Sequence, residues 1–297
     1  MSAQTTAAVA VPASEQAMET PKRIWRERIG MLLRSAPFVI GILILLFWVI
    51  MAIIGPLIVP YGADDTDLLN TLTPPAADHL FGTDQFGRDV FSRVIVGSRD
   101  ILIVAPLATL LGTLVGTVLG LVTGYARGLT DDIVSRIVEA FLALPLLILA
   151  MLVITALGAS NATVIIVIGL SFGLIVGRTV RAAVLGERDL DYVAAANLRG
   201  EKPIYILFVE ILPNILPPIL VETTVRLGYA IFTVASLSFL GLGIQPPSPD
   251  WGLSISQNYG LIGGGYWWTV LFYALAIGSL VVGVNLTADG VQSVIDA

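Results

Sequence analysis

The chain has 297 residues, of which 56% are hydrophobic and only 13% are charged, whereas a soluble domain carries roughly 25% charged residues. A chain this apolar cannot cover its surface with polar groups in water, which excludes a soluble globular enzyme. The absence of cysteine and the single histidine, His79, exclude disulfides and Cys-ligated metals and argue against a His-based metal site or a Ser-His-Asp triad. The net charge of −6 argues against a nucleic-acid partner.

Long apolar stretches predict that the chain crosses a membrane repeatedly. A bilayer core of about 30 Å needs roughly 20 apolar helical residues to cross it. The stretches that meet this requirement are Phe38–Val59, Ile101–Gly124, Ile137–Leu157, Thr163–Leu185, Ile215–Leu240 and Trp267–Leu286. We therefore predict an all-α polytopic membrane protein with six transmembrane helices.

The N-terminal region, residues 1–36, is predicted to be a disordered cytoplasmic tail followed by a basic segment before the membrane. The first span follows this long polar tail and lacks a small-residue cleavage site, so we interpret it as a retained anchor and not a signal peptide. Most of the 16 Lys and Arg residues lie in the N-terminal segment and in the loops on the same side. Because positive charge favours the cytoplasmic side, both termini are predicted to be cytoplasmic.

Residues 37–100 are predicted to contain the first span and an extracytoplasmic loop. Within this loop Asp89–Val96 has a helical pattern, with apolar side chains on one face and Asp89 and Arg93 on the other. The pattern predicts a short helix, either at the membrane interface or on an ordinary protein surface.

Residues 101–297 are predicted to form a five-helix transmembrane core. Its first span carries Gly112, Gly116, Gly120 and Gly124. A spacing of four places these glycines on one helical face, where a neighbouring helix can approach closely. The pattern favours helix packing over a pore lining.

A long loop, Arg178–Pro213, begins at the end of the fourth span, and the part predicted to dock lies at about 186–214. Its sequence predicts a helix at Tyr192–Leu198, a stop at Gly200 and a second helix from about Ile204 to Leu212. A helix–turn–helix with small residues at its centre is typical of a surface that docks into a partner, although a plain surface loop remains the alternative.

The Gly- and Pro-rich segment Gly241–Gly265 is predicted to be a loop that faces outward. Tyr266, Trp267 and Trp268 follow it, and their position matches an aromatic belt at the lipid–water boundary.

Glu222 and Arg226 are charged residues inside a predicted span. A charge at mid-bilayer costs about 2.5–3.5 kcal/mol on insertion scales, and a separation of four residues lets the two side chains pair on a helix. We expect the pair to face protein or water. It forms either a polar patch on a translocation path or a structural pair.

Two common catalytic motifs are missing from the sequence. There is no GxxxxGK[ST] or HExxH motif, and the carboxylate pairs Asp64/Asp65 and Asp131/Asp132 look like solvated loop residues. We therefore predict no catalytic residue and no metal site, and a transport component in place of an enzyme.

Several stretches resemble the inner-membrane permease subunit of bacterial ABC importers of the dipeptide/oligopeptide/nickel class. They are FGTDQFGRDVFSR (Phe81–Arg93), DYVAAANLRG (Asp191–Gly200), EILPN (Glu210–Asn214), SLSFLGLGIQPPSPDWG (Ser236–Gly252) and NLTADGVQSVID (Asn285–Asp296). The resemblance covers nearly the whole chain from Phe38 onward. It implies the type I ABC importer transmembrane fold, with the first span added to a five-helix core.

The resemblance also implies that the long loop contains a coupling helix, the EAA loop, which sits in a cleft of an ATPase subunit. The residues that match this pattern are Asp191, Tyr192, Ala195, Ala196, Gly200, Leu212 and Pro213. The chain departs from the pattern at Ala194, where the family usually has Glu. Small residues are expected here because a bulky side chain would hold the two surfaces apart.

The machine implied by the resemblance contains a second permease subunit, two ATPase subunits or domains that use ATP and Mg, and an extracytoplasmic solute-binding protein. This chain itself would bind no cofactor and would lie in the bacterial inner membrane. Peptides are the leading solutes, with opines, nickel chelates and small glycosides left open. The alternatives are a self-contained secondary transporter or channel, an intramembrane enzyme and a membrane scaffold.

Overall fold

A computed structural model describes residues 30–126 and 128–295. The predicted tail at residues 1–29, together with Arg127 and Asp296, lies outside the described residues. The helices are α1 (Ala36–Ile58), α2 (Val90–Ala126), α3 (Leu129–Leu142), α4 (Leu146–Leu157), α5 (Asn161–Glu187), α6 (Asp191–Leu198), α7 (Pro203–Asn214), α8 (Leu216–Phe239), α9 (Trp251–Asn258) and α10 (Trp268–Ile295). A 3₁₀ turn, Tyr259–Gly264, follows α9.

The prediction of an all-helical membrane protein is confirmed. Within the described residues, five helices are long and apolar enough to cross a membrane: α1, α2, α5, α8 and α10. The third predicted span, Ile137–Leu157, is broken into α3 and α4, which meet at an angle of 89°. Pro145 lies at the break and has no N–H to continue the hydrogen bonding of α3.

Two ends of the bundle are distinguished below. The near end is where α5 ends and α8 begins, and the far end is where α2 begins and α8 ends. The chain therefore alternates between the ends from one span to the next.

The tightest helix pair is α2 against α5. Along α2 the glycines Gly112, Gly116, Gly120 and Gly124 lie directly on the backbone and on the branched side chains of α5. A Cβ added at Gly120 would lie 2.5 Å from the Cβ of Val180 and 2.7 Å from the carbonyl oxygen of Gly177. Such approach is possible only without side chains on this face, so the ladder brings two backbones into contact.

The first span, α1, packs at the edge of the bundle against α10 and α2. Trp48 anchors it, because its indole Nε1 donates a 2.9 Å hydrogen bond to Ser279 Oγ and its ring meets that of Trp251 with centroids 4.8 Å apart. Only 17% of the apolar window of α1 is buried, so most of its surface faces outward from the chain.

The helix predicted at Asp89–Val96 is not a separate interfacial element. It is the first part of α2, which runs without interruption from Val90. Asp89 lies just before α2, and its Oδ2 accepts hydrogen bonds of 2.7 Å from the backbone N–H and the hydroxyl of Ser92, as an N-cap does. Asp89 and Arg93 are buried, which contradicts the prediction of a polar surface face.

The segment predicted as an outward-facing loop, Gly241–Gly265, contains α9 and the following 3₁₀ turn. Asp250 begins α9 as its N-cap and accepts a hydrogen bond of 2.8 Å from the N–H of Leu253. Trp268 does not belong to an aromatic belt: it is buried, and its Nε1 donates to the carbonyl oxygen of Thr83 at 3.1 Å. Of the predicted belt, Trp267 is exposed.

Candidate functional site

The near end carries the predicted docking element as a helical hairpin of α6 and α7. Helix α6 ends in a Schellman motif, in which the N–H groups of Gly200 and Glu201 donate to the carbonyl oxygens of Asn197 and Ala196. Gly200 has φ +77°, the left-handed conformation that glycine adopts most readily. The sequence-based helix, stop and second helix are therefore all present, with α7 starting at Pro203.

One face of α6 is fastened to the rest of the chain. Val193 and Ala196 are buried against Ile206, Leu207 and Ile211 of α7. The small size of Ala196 therefore serves packing within the chain, which differs from the expectation that it faces a partner. This packing makes α6 and α7 one unit.

A tyrosine ties α6 to the end of α5. The hydroxyl of Tyr192 donates a 2.8 Å hydrogen bond to Glu187 Oε2. Burial and this bond to a carboxylate raise the pKa of Tyr192 above its usual value, so the hydroxyl stays protonated and keeps donating. On the other side of the hairpin, Arg199 Nη2 donates to Glu210 Oε1 at 2.8 Å, which links the turn to α7.

The opposite face of α6 is free within the chain. Asp191 and Ala195 are exposed, and a Cβ at Gly200 would meet no atom within 4 Å. Beside them Leu198 is 90% exposed and Ile204 is 67% exposed. The sequence analysis did not single out these two residues because it considered only the small residues of the loop. The signal that could have identified them is an apolar side chain close to the helix stop.

The path from α7 to α8 contains an unusual helical segment. Ile206–Ile211 forms a π-helix, and Leu212 and Pro213 follow it at the entry to α8. Pro213 is exposed, whereas Leu212 packs partly against the α6–α7 core. Leu212 and Pro213, which match the EAA-loop pattern, thus lie where the chain passes from the hairpin into α8. They do not lie on the free face of α6.

Glu222 and Arg226 pair within α8 as their spacing predicts. Arg226 Nε donates to Glu222 Oε1 at 2.6 Å, and the guanidinium lies 5.4 Å from the centre of the Tyr229 ring. Next to them, Thr223 and Thr113 of α2 are joined by a 3.0 Å hydroxyl hydrogen bond. The pair is half-buried and has neighbours on α8 itself, so its role on a path stays a prediction.

The far end is held by ion pairs of two largely buried arginines, one with a buried and one with an exposed carboxylate. Asp84 binds Arg88 through its Nε at 2.7 Å, and Arg88 Nη2 donates to Gln257 in α9 at 2.9 Å. Arg93 Nη1 reaches Asp64 at 2.9 Å. The carboxylates Asp84, Asp89 and Asp250 are buried within the chain. The motif FGTDQFGRDVFSR therefore has a structural role, because its charged residues connect segments of the far end.

Burial also changes the acidity of Asp250. Desolvation is the main cause that raises its pKa to about 6, and the nearby charge of Asp100 adds to it, while the hydrogen bond from Leu253 acts in the opposite direction. The folded chain therefore prefers the protonated carboxyl, which is free of the desolvation cost.

Replacing Asp250 by Asn is expected to flatten the dependence of stability on pH. A carboxyl whose folded pKa is raised contributes stability below its unfolded pKa of 3.8, and this contribution is lost as the pH rises through about 6. The loss is on the order of 3 kcal/mol. Asn keeps the N-cap but carries no charge. The stability of the variant relative to that of the wild type should therefore increase from pH 4 to pH 7.

Thermal unfolding of the detergent-solubilised protein across this pH range measures the effect. The control is Asp65→Asn in the exposed part of the far-end loop. A difference between Asp250→Asn and the wild type that stays constant from pH 4 to pH 7 would contradict the expectation.

The described residues contain no cluster of metal-ligating side chains. No group of three or more His, Asp or Glu side chains is close enough to hold a metal ion in this part of the chain. The carboxylate pair Asp131/Asp132 was predicted to be solvated in a loop, but both residues lie in α3, and Asp131 accepts two hydrogen bonds of 2.6 Å from Arg181.

A polytopic helical bundle with a firmly mounted hairpin at one end defines a membrane transport component. Comparison with known proteins gives the same class. Residues 116–297 match the family described as binding-protein-dependent transport system inner membrane component, and residues 22–75 match the N-terminal transmembrane domain of oligopeptide transport permease C. The chain belongs to this permease family of bacterial ABC importers, whose members are multi-pass inner-membrane proteins and not enzymes.

Relatives match over nearly the whole chain. The dipeptide transport system permease protein DppC of Alkalihalophilus pseudofirmus is 38% identical over 92% of this chain and 89% of its own length. The oligopeptide transport system permease protein OppC of Bacillus subtilis is 33% identical, with coverage of 92% and 89%. The probable D,D-dipeptide transport system permease protein DdpC of Escherichia coli is 33% identical, with coverage of 96% and 94%.

A solved structure shows the same fold. A chain of the inward-facing MetNI methionine ABC transporter aligns with 68% of this chain and 96% of its own length, with a TM-score of 0.56 at 21% identity. The type I ABC importer transmembrane fold expected from the sequence is thereby confirmed.

Proposed function

We propose that this permease forms half of the translocation path of an importer for peptides or related small solutes, and that it receives its energy through the α6–α7 hairpin. The observation that carries the proposal is the two-sided surface of α6. Its inner face is locked to α7 and α5, whereas its outer face, with Asp191, Ala195 and Gly200, is free to contact another protein.

The rigidity of the hairpin supports a mechanical role. A docked helix transmits movement only if it is fastened to the helices that must move. Val193 and Ala196 pack on α7, and Tyr192 binds the end of α5, so displacement of α6 would shift α5 and α8 together. Such movement would change the bundle between inward- and outward-facing states, whose balance is set by differential binding of ATP and solute.

The proposed assembly contains a second permease subunit, two ATPase subunits or domains, and an extracytoplasmic solute-binding protein, all within or on the lipid bilayer. The ATPase subunits would bind and use ATP and Mg, and this chain would contribute neither a nucleotide site nor a cofactor site. The near end, with both termini, would face the cytoplasm, in agreement with the positive charge around it. Family membership disfavours the alternative of a self-contained secondary transporter or channel.

Cross-linking tests the docking surface directly. The chain contains no cysteine, so Ala195→Cys introduces a single thiol on the free face of α6, and Leu69→Cys places one on the exposed far-end loop. In complexes with cysteine-free partners, we expect a maleimide–benzophenone reagent attached at position 195 to form a cross-link to an ATPase subunit on illumination, while position 69 gives no such product. A cross-link to the ATPase from position 69 alone would refute the proposed orientation.

Peptide uptake tests the solute class. Cells that lack other peptide importers and require an amino acid for growth should grow on a dipeptide containing it when the complete transporter is expressed. Growth should fail when this chain is removed. Import of nickel chelates or glycosides with no import of peptides would contradict the proposed class.

The charge pair of α8 gives a separate test of the path. Removing one partner leaves the other charge unpaired inside the protein, which destabilises the fold by several kcal/mol. Glu222→Gln alone therefore reports mainly on stability. The exchange Glu222→Arg with Arg226→Glu retains the pair. We expect this double variant to accumulate normally but to import solute roughly tenfold more slowly, a loss that corresponds to about 1.4 kcal/mol. Uptake at the wild-type rate would assign the pair to packing alone.

A further inference from the structure

The near half of the bundle contains charged side chains at a depth where a membrane would surround them. Helix α4 has 12 residues and therefore a length of about 18 Å, less than the roughly 30 Å of hydrocarbon. The part of α3 next to the break thus begins inside the membrane. Arg178 lies 17 residues after the start of α5 at Asn161, about 26 Å along the helix, which is also within the membrane thickness.

Helix α3 has three kinds of surface. Val134 and Val138 face inward, and Val138 is buried. An outer apolar strip consists of Leu129, Ile133, Ile137 and Phe141. An outer polar strip consists of Asp132, Arg136 and Glu139, all of them exposed. Only the apolar strip suits contact with acyl chains, so the polar strip must face water.

The polar strip and α5 border a common groove. One cavity of about 350 Å³ is lined by Ser135, Glu139, Arg178 and Arg181, among others. An adjoining cavity of about 410 Å³ shares Ser135, Glu139 and Arg181 with it and extends to Asp132 and Arg136. We call the two together the α3–α5 groove.

The charges of this groove divide into a paired set and an available set. Asp131 and Arg181 bind each other through two hydrogen bonds of 2.6 Å and fix α3 to α5. In contrast, Asp132, Arg136, Glu139 and Arg178 form no ion pair or hydrogen bond between side chains within the described residues, although the charge of Asp132 also acts on Arg181. Two cationic and two anionic groups therefore remain open to a ligand.

We propose that the α3–α5 groove is an inner binding site for a zwitterionic solute on its way to the cytoplasm. Arg178 and Arg136 would hold the carboxylate, and Glu139 and Asp132 would hold the ammonium group. Charge-assisted hydrogen bonds to guanidinium and carboxylate groups suit such a molecule. The inference rests on the proposed import function and adds the location and the charge pattern that the solute must have.

Uptake of a dipeptide, its C-terminal amide and its N-acetyl derivative by cells expressing the full transporter tests the groove. We expect Arg178→Gln to lower the maximal uptake of the free dipeptide about tenfold, as loss of a charged hydrogen bond implies, and to leave the slower uptake of the amide unchanged. Glu139→Gln should show the converse pattern with the N-acetyl derivative. Arg34→Gln, an exposed residue before α1, is the control and should import like the wild type.

The outcomes separate this proposal from the import function. If the wild type imports the dipeptide and both groove variants import it equally well, the groove is not a solute site, while the import function stands. If both variants lose the dipeptide, the amide and the N-acetyl derivative to the same degree, the residues act structurally and the proposal fails. If the wild type imports only solutes that carry no charged group, both the proposed zwitterionic solute and the peptide class are wrong. Levels of each variant in the membrane and basal ATP hydrolysis of the purified complex establish that the variants assemble.

Discussion

Replacing Leu198 by Asp is expected to uncouple the permease from its ATPase. This side chain is 90% exposed within the chain, immediately before the turn that ends α6, and an exposed leucine at such a site is stabilising only when a partner buries it. Burying a leucine contributes about 1.5–3 kcal/mol, which corresponds to a factor of roughly 10–100 in affinity. A charged Asp in the same apolar contact would add a desolvation penalty.

The measurement is the affinity of the purified permease pair for its ATPase subunits, together with solute uptake in cells. The matched control is Leu69→Asp, because Leu69 is 96% exposed but lies at the far end. Leu198→Met should behave almost like the wild type, since it conserves volume and apolar character. Normal ATPase binding and uptake in Leu198→Asp would place the docking surface elsewhere.

Replacing Gly120 by Val is expected to prevent stable assembly of the α2–α5 pair. Even the Cβ would lie 2.5 Å from Val180 Cβ and 2.8 Å from the backbone nitrogen of Arg181. Backbone atoms cannot move aside as a flexible side chain can, so the two helices must separate along the ladder. Overpacking typically costs 1–3 kcal/mol or more, and here the loss of contact spreads to neighbouring glycines.

Membrane levels and thermal stability in detergent, followed by size-exclusion chromatography, measure this effect. Gly186→Ala is the control, because Gly186 lies in α5 but a Cβ there meets no atom within 4 Å, and Ala favours a helix over Gly. We expect Gly120→Val to be nearly lost from the membrane and Gly186→Ala to equal or exceed the wild type. Equal levels of the two variants would show that the ladder tolerates side chains and that the contact in α2–α5 is not required.

Elements that depend on the length of an apolar run or on a local helix cap were predictable from the sequence. The apolar runs gave the spans because a membrane imposes a minimum length on any apolar helix. Gly200 gave the end of α6 because a left-handed residue stops a helix locally. The spacing of four residues gave both the glycine ladder and the Glu222–Arg226 pair, because helical periodicity fixes which side chains share a face.

Errors arose wherever a charged side chain was compensated by a residue distant in sequence. Asp84 and Arg93 look like surface residues in isolation, but Arg88 links Asp84 to Gln257, and Arg93 reaches Asp64. Such partners are separated by tens to hundreds of positions, so no local pattern reveals them. Ala196 is likewise covered by residues outside its own helix, since its neighbours come from α7.

The sequence by itself determined that this chain is a helical membrane protein with a hairpin between two of its spans, because hydrophobic length and helix stops act locally and add up along the chain. Only the tertiary structure decided that the third span bends by 89°, that Leu198 stands free on the hairpin, and that Arg178 and Glu139 border one groove. These features depend on which surfaces other helices cover, and burial is a property of the packed bundle that no single segment contains.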